Sequence, residues 1–248
     1  MRPILAAAAA LVLLGAGRPA APSDPPMRTY LCPPAPEPIT VDGWLYDPGW
    51  RSARWSGSFR DMFQPQRAVQ QTLVQAAWDD QALYLALRAR DLDAWATLRE
   101  RDAALFTEEV LEVYVDENDD QRNYLEFEVN PLGAEIDLLI PYAGAQADWP
   151  ACAKWNAPGW KTAVRVSPSL TVGERVIPGY WVAEMAFPWA IFSEAAHRPP
   201  RPGDTWRIQF YRIERPDRSR PEDFVGSAWS PTPTFHAPAC FGAIRFAM

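Results

Sequence analysis

The chain has 248 residues, of which 48 % are hydrophobic, enough to bury a sizeable core in one large β domain or two small ones. Its formal charge is −7, its pI is near 5.0, and no Lys/Arg-rich block interrupts the acidic balance. That composition excludes the basic footprint of a non-specific nucleic-acid binder and offers nothing to an anionic membrane surface.

Residues 1–17, MRPILAAAAALVLLGAG, carry one charge at Arg2, then an apolar run from Ile4 to Leu14, then small residues. The run is too short to cross a bilayer and reads as a secretory signal, with Gly15-Ala16-Gly17 as the cleavage region. The expected mature chain is secreted or periplasmic, without a membrane span. No Cys follows the run where a lipoprotein anchor would place one. Residues 18–38 are Pro-rich and read as an extended linker, which puts the folded domain at 39–248.

From Ile39 onward the pattern is one of short strands. The stretch TLVQAAWDDQALYLALRARD holds two apolar runs around Asp79-Asp80, a hairpin. DAWATLRERDAAL (93–105) and PWAIFSEAA (188–196) read as the two short helices. VLEVYVD (110–116) alternates. After the acidic turn ENDDQR, NYLEFEVN (123–130) alternates too, so the two should pair antiparallel. Strands are also predicted at 134–140, 160–166, 179–187, 205–214 and 242–247. About ten strands with turn signals between them predict an all-β, antiparallel, jelly-roll-like sandwich. The pattern fixes no oligomeric state.

Parity then groups side chains. Leu111, Val113 and Val115 share one side of their strand, and Glu112, Tyr114 and Asp116 the other. On the neighbour, Leu125, Phe127 and Val129 oppose Tyr124, Glu126, Glu128 and Asn130. Pairing merges the polar sides into one patch of carboxylates, tyrosines and an amide. It contains no Lys, Ser or Thr, unlike an ordinary solvent face, and Arg207, Arg212 or a hydroxyl-rich ligand could balance it. Glu126 and Glu128 stand roughly 7 Å apart along the strand, near the separations of glycosidase acid pairs. That spacing alone does not distinguish a glycoside hydrolase from a binding face.

Other chemistry is sparse. The two histidines, His197 and His236, lie in loops, and no GxSxG or HExxH occurs. The turn residues Asp116, Asn118 and Asp120 alternate like the start of a calcium loop but lack its Gly and terminal Glu. Cys32, Cys152 and Cys240 form no CxxC pair, so zinc is not indicated. Three cysteines close at most one internal bridge. Three pairings are open, and the usual nearness of chain ends favours Cys32–Cys240. The 12 Trp suit either a large core or the stacking of flat sugar rings. Trp44, Trp50 and Trp78 read as core or turn packing, Trp95, Trp149, Trp155 and Trp229 as loop residues open to contacts. Glu184, between Trp181 and Trp189, reads as a buried acid needing an Arg.

Six segments in order, ITVDGWLYDPGW, AAWDDQALYLALRARD, FTEEVLEVYVDEND, NYLEFEVNPLG, GYWVAEMAFPW and FHAPACFGAIRF, resemble the carbohydrate-binding module family 9-like proteins, relatives of the DOMON superfamily. The resemblance implies a non-catalytic β-sandwich that clamps a sugar between two Trp and reads its hydroxyls with polar side chains. The clamp positions match Phe106 and Phe235 here, both Phe instead of Trp. A polar ligand residue matches Glu112, and a family Arg falls at Glu128, a reversal of charge. The expected carbohydrate site is Phe106, Glu112, Tyr114, Glu126, Glu128, Asn130 and Phe235, with Arg212, Glu214 and His236 at its rim. No cofactor is expected, though the resemblance allows a structural calcium with no ligands assigned. A DOMON-type haem module is the redox alternative, and would use His236 with Met185 or Met62 as axial ligands.

Overall fold

The computed structural model describes residues 27–248 except 65, 68 and 221. The expected signal segment and the first part of the expected linker lie outside these residues. Fourteen strands are described: β1 (Thr29–Cys32), β2 (Arg60–Asp61), β3 (Thr72–Trp78), β4 (Ala82–Asp91), β5 (Val110–Asp116), β6 (Arg122–Val129), β7 (Glu135–Tyr142), β8 (Lys161–Ser167), β9 (Leu170–Val172), β10 (Arg175–Ile177), β11 (Gly179–Pro188), β12 (Thr205–Glu214), β13 (Val225–Ala228) and β14 (Gly242–Phe246). One sheet runs β1-β14-β12-β5-β6-β7, with β13 and β2 continuing beside β12. The other runs β3-β4-β11-β8, and β9 and β10 form a separate hairpin. The sandwich is therefore the one the strand pattern predicts.

Alternation builds the core. Leu111, Val113, Val115, Leu125, Phe127 and Val129 of the first sheet meet Leu83, Leu85, Leu87, Trp181, Ala183, Met185 and Phe187 of the second, and all are buried. Trp189, Trp206 and Phe246 close one end with edge-to-face ring contacts. The opposite parity of β5, β6 and β7 does not face water. It forms a second apolar cluster, with Ile136, Leu138, Ile140, Tyr211 and Phe241, covered by loop residues Leu98, Phe106, Trp149 and Phe235. The first sheet is thus covered on both faces.

The structure departs from several expectations. The folded unit begins at β1, inside the expected linker, where Thr29–Cys32 pairs parallel with Ala243–Phe246. Tyr30 Oη fastens β1 to the second sheet, donating to the Arg54 carbonyl at 2.6 Å and accepting from Ala76 N at 3.0 Å. Residues 93–104 are not helical. Glu108 takes the backbone N–H groups of Thr97 and Leu98 at 2.7 and 3.1 Å, and Glu109 that of Trp95 at 3.2 Å, so carboxylates intercept donors a helix would use. In the second expected helix only a 3-10 turn forms, Trp189–Ile191, after Pro188. The one α-helix among the described residues, α1 (Trp149–Cys152), falls in a loop.

Glu184 is buried but meets no Arg. It accepts from Trp50 Nε1 at 2.9 Å and from Asp42 N and Gly43 N at 3.0 and 2.8 Å, pinning the DG turn to β11. All three cysteines are free. Cys32 pairs in register with Phe246 and enters the main core, whereas Cys240 lies six residues earlier, before β14, so the expected bridge cannot close. The acidic turn is closed by Asp116, which accepts from Asp120 N and Gln121 N. No metal-ligating cluster of three or more His, Cys, Asp or Glu occurs among the described residues.

Candidate binding site

The β5–β6 register sets Glu112 opposite Glu128 and Tyr114 opposite Glu126, and β12 adds Tyr211 beside Glu112. Glu112, Tyr114, Glu126 and Glu128 form the floor of a cavity of about 400 Å³. Its walls come from three loops: Phe106 before β5, Gln146 and Trp149 after β7, and Phe224, Thr234, Phe235 and His236 around β13. Phe106 packs edge-on to Trp149, with ring centroids 5.7 Å apart. Tyr211 holds the opposite wall: its ring lies 5.0 Å from that of Phe235, and its hydroxyl donates to the Phe235 carbonyl. Tyr124 Oη is hydrogen bonded to His236 Nδ1 at 3.0 Å. Tyr124 and Tyr211 of the sheet therefore position the Phe235–His236 wall.

The electrostatics of the floor are unusual. Glu112, Glu126 and Glu128 are 1 %, 3 % and 1 % exposed, yet each keeps one carboxylate oxygen with no partner. Tyr114 Oη donates to Glu126 Oε1 at 2.7 Å. Burial raises the Glu126 carboxyl to about 7. Burial, and after it the neighbouring carboxylates, pushes Glu112 and Glu128 well above the usual carboxylate range. Burial lowers His236 to about 4, so it is neutral near pH 7. Unpartnered buried acceptors of this kind are costly and mark a place for donors from outside.

Seven of the ten expected site residues come together here: Phe106, Glu112, Tyr114, Glu126, Glu128, Phe235 and His236. The other three do not. Asn130 closes the β6–β7 turn, accepting from Leu132 N and Ala134 N, both at 3.0 Å, while Gly133 takes φ +79°. Arg212 and Glu214 are on the opposite parity of β12 and point between the sheets. There Arg212 donates to Asp91 at 2.6 Å and lies 3.5 Å from Glu214, which also accepts from Gln70. Their neighbour Arg215 lines the cavity and holds the Phe106 segment, donating to the Phe106 carbonyl at 2.9 Å. Parity along 211, 213 and 215 points to it; Phe224 carries no such signal. Of the loop tryptophans, Trp149 walls the cavity, Trp229 and Trp155 pack in the main core, and Trp95 donates to the Arg215 carbonyl.

The axial-ligand geometry of the haem alternative is not met. Met185 is buried between the sheets, on the far side of β5 and β6 from His236, and Met62 lines a different cavity. A groove of about 440 Å³ on the outer face of the second sheet contains Trp44 and Trp55, but Arg165 and Arg88 already cover their rings at 3.1 and 4.4 Å.

A two-sheet sandwich with an aromatic-walled, carboxylate-floored cavity on one sheet face is a small-ligand binding module in architecture. The chain belongs to the carbohydrate family 9 binding domain-like family, whose model matches residues 41–247. Its fold is similar to a family 9 carbohydrate-binding module from Caldicellulosiruptor kristjanssonii in complex with cellotriose: TM-score 0.62, 17 % identity, 89 % of this chain and 94 % of that one. The glucose complex of that organism's module matches with TM-score 0.62 and 17 % identity, over 88 % and 95 % of the two chains. A candidate carbohydrate-binding protein from Bacteroides uniformis matches with TM-score 0.60 and 16 % identity, over 89 % and 97 %. No curated protein matches the chain. No helix among the described residues is long and apolar enough to cross a membrane.

Proposed function

We propose that the chain is an exported, non-catalytic carbohydrate-binding protein whose sugar enters the cavity between Phe106 and Phe235. The observation that carries this reading is the set of three unpartnered carboxylate oxygens at the floor, ringed by aromatic side chains. Carboxylates accept from sugar hydroxyls, and flat rings stack on sugar C–H faces. Family membership and the sugar complexes of the similar modules support the assignment.

The test is titration calorimetry of purified protein against soluble mono- and oligosaccharides. Binding that falls about five- to thirty-fold in Phe235→Ala or Phe106→Ala is expected, since loss of a stacked ring costs on the order of 1–2 kcal/mol. Failure of the folded protein to bind any sugar would overturn the reading. The hydrolase alternative draws on Glu126, whose carboxyl near 7 suits a general acid. Its geometry is against it: Glu126 and Glu128 stand side by side on one strand at the floor, whereas glycosidase carboxyls flank the scissile bond. Glycoside turnover that collapses in Glu128→Gln would establish the hydrolase instead.

A further inference from the structure

We propose that the sugar bound here carries a free amine, and that its ammonium group sits on the Glu112–Glu126–Glu128 floor. This rests on the carbohydrate reading of the same cavity. The three carboxylates lie within two adjacent strands, Glu112 directly across from Glu128 and Glu126 two residues along. Each leaves one oxygen unpartnered. An ammonium group brings three N–H donors and a positive charge; burial holds the empty floor largely protonated near pH 7, so the arriving cation draws protons off it and its three donors meet the three carboxylate oxygens so freed. A neutral hydroxyl brings one donor and no charge, so it neither ionises the floor nor fills its three oxygens. The walls include three aromatic rings, Phe106, Trp149 and Phe235, and a cation over the face of such a ring is attracted to it. The other titratable groups around the floor are Tyr114 and Tyr124 on the strands, Tyr211 on β12, Cys152 in α1, and His236 and Arg215 in the cap. Tyr114 already donates to Glu126, and neutral His236 adds no competing charge. Arg215 donates to the carbonyls of Phe106 and Glu108.

Calorimetry near pH 7 separates the possibilities with four probes: glucose, N-acetylglucosamine, glucosamine and a short glucosamine oligomer. The amines should bind on the order of ten-fold tighter than the neutral sugars, as charge-assisted hydrogen bonds are about twice as strong as neutral ones. Glu128→Gln and Glu112→Gln should erase that preference while some sugar binding remains. If either variant fails to fold, wild-type calorimetry in buffers of different ionisation enthalpy gives the same reading: protons released on binding the amines and none on binding glucose. Neutral sugars binding as tightly as the amines would overturn the amine assignment and leave the carbohydrate reading standing. A plain alkylammonium ion binding with no sugar bound would overturn the carbohydrate reading, and the amino-sugar assignment with it.

Discussion

Glu126 shows how burial turns a surface-type residue into a liability for the fold. Its carboxyl is raised to about 7, that of Glu117 to about 7 and that of Glu109 to about 9, burial being the main cause each time. A folded-state pKa above the unfolded value gives stability that is full below about pH 4.3 and lost as pH rises through the folded pKa. His236 acts oppositely: held down to about 4, it contributes stability above about pH 6.5 that is lost as pH falls through 4. Between about pH 4.3 and 6.5 the raised carboxyls outnumber the one histidine, so thermal stability of the ligand-free protein should peak near about pH 4–5 and decline steadily towards pH 9. Calorimetric melting across that range checks it, and a flat or rising melting temperature above pH 6 would contradict it. Glu128→Gln should melt roughly 2–4 °C higher at pH 8, if removing the charge recovers about 1 kcal/mol, while weakening binding. Most of the floor was legible in the sequence, because a period of two assigns Glu112, Tyr114, Glu126 and Glu128 to one side. The same rule, applied to β12, assigns Arg212 to the other side. Only its charge, not its parity, suggested the site. That the face is buried was not legible, because part of its cover, Phe224 and Thr234 to His236, comes from segments distant in sequence from β5 and β6.

At the scale of elements, strands whose alternation reflects two unlike environments were readable almost to the residue, as in β12, found at the predicted 205–214. The failures have local causes. Residues 93–104 have helix-forming composition, but Glu108 and Glu109, downstream, capture their amides. β1 was hidden because Pro flanks it and parallel pairing with the last strand requires a partner over 200 residues away. The β4 and β12 ends are joined by the Arg212–Asp91 pair, buried at 1 % and 4 % side-chain exposure. Asp91→Ala should cost about 3 kcal/mol or more, since it strips a buried guanidinium of its nearest carboxylate. Denaturant unfolding reads this directly; a loss below 1 kcal/mol would mean that Glu214, 3.5 Å from Arg212, suffices alone.

Across the whole molecule, the two sheets close without a covalent tie. The protein should titrate three thiols in denaturant before any reductant is added, and its melting temperature should not change with reductant. Two titratable thiols fewer would show a bridge and refute the arrangement at Cys32 and Cys240. The double-sided first sheet has a consequence for descent with modification. On β5 and β6 one parity belongs to the dry interior and the other to the cavity, so neighbouring codons answer to different pressures. Substitutions at 112, 114, 126 and 128, or exchanges of the three covering loops, can redraw ligand preference while Leu111, Val113, Leu125 and Phe127 go on specifying the sandwich. A lineage built this way can drift far in overall identity and keep its shape. The fold of this chain is matched at only 17 % identity.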